Sequence, residues 1–108
     1  MVLSHSRYAL EALRLLGRSI RAARIERRMT TSELAERVGI GRPLVHRIER
    51  GDPRSSIGAV FEAATIVGVP LFETEPSRLS ANLARVEEKL ILLPKAIRAP
   101  RVEIDDEF

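Results

Sequence analysis

The chain contains no cysteine. Disulfides, thiolate metal sites and a catalytic thiol are therefore excluded. It also has no long apolar run. The stretch from Ile57 to Phe72 is broken by Glu62 and is shorter than the roughly 20 residues that a membrane span needs. The apolar region of a secretory signal is missing near the N-terminus, where Glu11 and Arg14 interrupt the pattern, so a cytoplasmic location is expected. No segment alternates apolar and polar residues as a strand would, and no internal repeat is visible. A glycine-rich phosphate loop, a clustered carboxylate pair and a histidine set with metal-ligand spacing are all lacking. An enzyme, a bound metal and a cofactor are therefore not expected.

What remains suits a small soluble folded domain. The 108 residues are 44% hydrophobic and 31% charged, enough for one domain and an extension. The net charge is only +3, but it is unevenly placed. Residues 1–54 carry +6, residues 55–93 carry −2 and residues 94–108 carry −1. Of the 18 basic residues, 16 are arginine. Its planar fork fits phosphate and guanine edges better than lysine does. An arginine-rich half is the electrostatic footprint of nucleic acid binding, although a solvated helical surface would look the same by charge alone.

The periodicity predicts an all-α protein. A first helix is expected from Arg7 to Arg28, with Leu10, Leu13, Leu16, Ile20 and Ala23 on one face. Thr30 and Glu33 make a T-x-x-E capping box, flanked by the staple pair Met29 and Leu34, and open a helix over Thr31–Val38 that stops at Gly39. Gly41 then caps a third helix, with Pro43 in its first turn, Ile40 and Val45 as a second staple, and Gly51 as the stop after Arg50. Two short helices joined by a glycine-containing turn form a helix-turn-helix signature. Ser55 or Ser56 caps a fourth helix, Ile57 to Val67, with Ile57, Val60, Phe61, Ala64 and Val67 as core candidates. Pro70 and Pro76 frame a connector with room for one short helical turn. A fifth helix runs from Ser77 to Leu93, where Leu79, Leu83, Val86, Leu90 and Leu93 step by 4, 3, 4 and 3 as a heptad-like seam. The predicted organisation is a DNA-binding domain over 1–73, a C-terminal helix over 74–93 for dimer or partner contact, and a flexible tail over 94–108.

From Leu16-Gly17 to Val69 the chain resembles the helix-turn-helix domain of the lambda-repressor and Cro type, the Xre family. The resemblance rests on Ile20-Arg21, Arg24, Thr30, Glu33-Leu34-Ala35-Glu36, Val38-Gly39-Ile40, Val45 and Arg47-Ile48-Glu49-Arg50-Gly51. It implies a five-helix bundle with the Arg42–Arg50 helix as recognition helix, to which the periodicity adds the C-terminal helix segment. One recognition helix spans too few bases to specify a site, so a homodimer on a palindromic operator in double-stranded DNA is expected. It also implies base contacts from Arg42, Pro43 and Arg47, with Leu44 or His46 in some relatives, a phosphate or base contact from Thr31, and an internal salt bridge between Arg24 and Glu49. Two departures bear on the base contacts rather than the fold: Gly41 stands where a Ser or Thr cap is usual, and Pro43 and Leu44 stand at positions usually polar. Arginine suits guanine O6 and N7, and Pro43 could pack on a thymine methyl. Arg50 and Arg54, on either side of Gly51, are candidate phosphate contacts. His46 is read as exposed or near phosphate rather than as a metal ligand, since His5 is the only other histidine.

The end of the chain, Leu92-Leu93-Pro94-Lys95 followed by a basic stretch and Val102-Glu103-Ile104-Asp105-Asp106-Glu107-Phe108, is similar to antitoxins of the HipB type. That similarity implies a HipA-like kinase toxin as partner, with Phe108 a candidate anchor; a tail that serves only solubility is the alternative. Three functions follow from the sequence: a homodimeric DNA-binding repressor acting as antitoxin and autoregulator, a free-standing phage-type or metabolic repressor, and a protein–protein inhibitor that uses the bundle only as scaffold. The arginine-rich first half argues against the third.

Overall fold

The computed structural model describes residues 4–97. Those residues form five helices, α1 (Arg7–Glu26), α2 (Thr31–Val38), α3 (Arg42–Arg50), α4 (Ile57–Val67) and α5 (Pro76–Leu92). Helices are the only repeating secondary structure among them, with isolated bridge residues at Leu71 and Glu73. The architecture is all-α, as the periodicity predicts. Two compact units divide between Phe72 and Glu73. The first holds α1 to α4 and the second holds α5.

Each helix of the first unit begins and ends on a local signal. Ser6 accepts a hydrogen bond from the Ala9 N–H and opens α1. The Thr30 hydroxyl accepts from the Glu33 N–H at 3.0 Å, while the Glu33 carboxylate accepts from the Thr30 N–H at 2.8 Å, so the capping box is complete. Ser56, rather than Ser55, caps α4. Gly39 and Gly51 end α2 and α3 at φ 86 and 76, where a side chain would be strained. α1 is two residues shorter than expected. The chain turns at Arg28, which takes φ 55, and the Met29 N–H closes back on the Arg24 carbonyl.

The core of this unit is Ile20 from α1, Leu34 and Ala35 from α2, Val45 and Ile48 from α3, and Val60, Ala63, Ala64 and Val67 from α4. One core expectation is corrected. Ile57 is 70% exposed, because it opens the first turn of α4, ahead of the arc Val60, Ala63, Ala64 and Val67 that faces the bundle. Leu10 and Leu13 are half-buried on the turns of α1 that precede the core. The connector after α4 forms no helical turn: Pro70 lacks a donor, and Phe72 takes φ 63 with its ring edge-on to Phe61 at 6.2 Å.

In the second unit, Pro76 begins α5, and Arg78 pairs with Glu73 at 3.5 Å. None of the residues of α5 is buried, and Leu79, Leu83, Val86, Leu90 and Leu93 are all exposed.

Candidate nucleic-acid interface

α2 and α3 pack against each other across the turn Gly39–Gly41, and both lean on the same core. Burial divides α3 sharply. Val45, Ile48 and Glu49 face inward. Arg42, Pro43, His46 and Arg50 are exposed, and Arg47 is half-exposed beside them. At 100° per residue these five fall on one strip of the helix, so a single face presents three arginines, an imidazole and a proline ring. Leu44 is half-buried and lies toward Ile48, at the rim of that strip. Thr31, the first residue of α2, is half-buried. Gly41 makes no side-chain cap bond and the first turn of α3 carries no acidic residue, so no side chain of α3 itself offsets the positive end of its dipole.

The strip is held in place from behind by a buried carboxylate. Arg24 Nε donates to Glu49 Oε2 at 2.7 Å and Nη2 donates to Oε1 at 3.1 Å, a two-pronged pair that ties α1 to α3. Arg24 Nη1 also donates to the Met29 carbonyl at 3.0 Å, linking the same guanidinium to the turn before α2. Two further arginines of α1 approach Glu49. Arg18 Nη1 donates to its carbonyl at 3.2 Å, and Arg21 Nη1 lies 3.6 Å from Oε1. Nothing local in the sequence brings Arg18 or Arg21 to Glu49, though the spacing of three through Arg18, Arg21 and Arg24 puts them on neighbouring arcs of α1.

Gly17 is a second contributor that composition could not reveal. A Cβ there would collide with the Ile48 carbonyl and lie 2.9 Å from the Gly51 nitrogen. A Cβ on Gly51 would lie 2.6 Å from the Arg14 Cα. The two glycines let α1 and the end of α3 meet backbone to backbone.

Arg54 is not a free cation. Asp52 Oδ1 accepts from the Arg54 backbone N–H at 2.9 Å and from Nε at 3.2 Å, and Oδ2 accepts from Nη2 at 3.0 Å. The Arg54 side-chain hydrogen bonds, then its backbone N–H, hold the Asp52 carboxyl down at about 2, while Asp52 raises Arg54 above its ordinary value. The outer edge of the guanidinium remains in solvent, with the side chain 80% exposed. Phe108 and the rest of the segment 98–108 lie outside the described residues. Among the described residues no His, Asp and Glu cluster could hold a metal ion, and no helix is long and apolar enough to cross a membrane.

The family model for a helix-turn-helix domain matches residues 15–76, which takes in α1 from its third turn, the whole of α2, α3 and α4, and the start of α5. A search of curated proteins returns no match to the chain.

Proposed function

The chain belongs to the helix-turn-helix domain family, and on that premise we propose that it is a sequence-specific transcriptional repressor that binds a palindromic operator in double-stranded DNA as a homodimer. One observation carries this reading: the exposed strip Arg42, Pro43, His46, Arg47 and Arg50 on a helix whose opposite side is locked into the core. A major groove admits one α-helix, and residues at its N-terminal end reach base edges. Arg42 and Arg47 are assigned to bases and Pro43 to a thymine methyl, with His46 and Leu44 at the margin of the contact. Thr31, Arg50 and Arg54 are assigned to phosphates. Arg24 and Glu49 hold the recognition helix and touch no DNA. No residue is assigned a catalytic role or a cofactor, and DNA as partner makes the cytoplasm the compartment.

Two copies are needed because nine residues of helix span too few base pairs to specify a site, and a two-fold dimer sets two such helices one DNA turn apart. The exposed seam Leu79, Leu83, Val86, Leu90 and Leu93 supports a self-associating surface. The finer role proposed is antitoxin and autoregulator beside a HipA-like kinase toxin, supported by the similarity of residues 92–108 to antitoxins of the HipB type.

The test is a fluorescence titration of the promoter fragment preceding the reading frame. Arg42→Ala or Arg47→Ala should each weaken binding by about 1–3 kcal/mol and relax preference at one base pair per half-site. Wild-type affinity and selectivity in both variants would show that α3 does not read the sequence.

A further inference from the structure

α1 carries a line of arginines that the recognition helix does not explain. Arg7, Arg14, Arg18 and Arg21 fall within one narrow arc of the helix, beside the arc of Gly17 that touches the end of α3. Only the first is balanced on α1 itself: Arg7 pairs with Glu11 at 3.6 Å. Among the described residues Arg14 has no carboxylate within 4.0 Å. Arg18 and Arg21 approach Glu49, but Arg24 already satisfies both oxygens of that carboxylate. Arg21 keeps 44% of its side chain in solvent. One buried negative charge therefore faces a surplus of cations.

Like charges one turn apart on a helix repel one another. The fold also sets this line against the C-terminal end of α3. The Gly17–Gly51 contact brings the Arg14 backbone against the residue that follows Arg50. The surplus therefore lies at the end of α3 that carries Arg50, a residue already assigned to phosphate.

We infer that Arg14, Arg18 and Arg21 form, with Arg50, a second DNA-binding ledge that grips the sugar-phosphate backbone flanking the bases read by α3. The ledge carries no sequence preference. It lengthens the footprint and steepens the salt dependence, because each phosphate neutralised releases condensed counterions. The inference rests on the DNA-binding reading above, but it assigns a different set of residues and a different energetic signature.

The experiment uses the full chain and a random-sequence DNA duplex of about 30 base pairs, titrated by fluorescence anisotropy at KCl concentrations from about 50 to 200 mM. Arg14→Gln, which removes no side-chain hydrogen bond or ion pair among the described residues, should lower the slope of log affinity against log salt by about 0.9 for each protomer bound. Arg14→Gln combined with Arg18→Gln should lower it by about twice that amount, with circular dichroism confirming the fold. The promoter fragment should lose affinity by the same factor as the random duplex, so discrimination is unchanged. A wild-type slope in both variants overturns the ledge while leaving α3 as the reader. No binding of either duplex by the wild-type chain overturns the ledge together with the DNA-binding reading.

Discussion

Arg24 and Glu49 stand 25 residues apart in sequence and meet as a two-pronged ion pair with both side chains out of solvent. The pair fixes the last turn of α3 on α1. It is also a site where removing one partner is worse than removing both, since without Arg24 the buried carboxylate loses its two close hydrogen bonds and keeps only Arg21 at 3.6 Å. Arg24→Ala should destabilise the protein by about 3–5 kcal/mol, and the paired replacement Arg24→Met with Glu49→Leu by much less. Urea denaturation of the two variants measures the difference. Equal losses would mean that the pair is not isolated from solvent.

Gly17 and Gly51 make a close approach that no other residue type allows. Gly17→Ala drives a methyl into the Ile48 carbonyl, so α1 and α3 must separate. The expected cost is about 1–3 kcal/mol, the usual range for overpacking. Gly39→Ala is the control. Its Cβ meets nothing within 4 Å, so only the strain of φ 86 remains and the loss in thermal stability should be smaller.

Asp52 supplies a pH-dependent element outside the physiological range. Its carboxyl is held at about 2, below the usual 3.8. A depressed folded value means that the clamp on Arg54 is intact above the ordinary carboxylate value and is lost as the pH falls from about 4 toward 2. A carbon-detected NMR titration should place the Asp52 midpoint near 2. In Arg54→Ala it should return toward the ordinary value, because the guanidinium hydrogen bonds that hold it down are gone.

The seam on α5 can be tested without touching the bundle. Leu83→Glu with Leu90→Glu should convert a dimer to a monomer in sedimentation at micromolar concentration. Thermal stability of the protomer fold should shift little, since neither side chain is buried. A monomeric wild-type chain under the same conditions would remove the homodimer from the proposed function.

The toxin partnership has its own test. A chain ending at Pro94 should bind the promoter fragment as the full chain does, and should fail to protect cells expressing the adjacent reading frame. Full protection by the shortened chain would place any partner contact on residues before the cut.

Much of this protein is legible in the sequence because its signals are local. The Thr30–Glu33 box and the stops at Gly39 and Gly51 involve residues within one turn of each other. Helical period likewise separates Val45 and Ile48 from Arg42, His46 and Arg50 without reference to the rest of the chain. The candidate reading strip could therefore be drawn from helical period, whereas its support could not: the Arg24–Glu49 pair is implied by the family resemblance alone, and the structure contains it. Period says which residues share an arc, but not where the core ends along a helix, so Ile57 looks buried and is exposed. Nor does it say which backbone lies opposite a glycine. The convergence of Arg18, Arg21 and Arg24 on Glu49, and the contact of Gly17 with the end of α3, arise only when α1 is laid across α3. The sequence by itself determined the helices and the face each could show. Tertiary packing decided which cations stay engaged with Glu49 and which remain available to an anion, because long-range electrostatics depends on distances that only the folded chain sets.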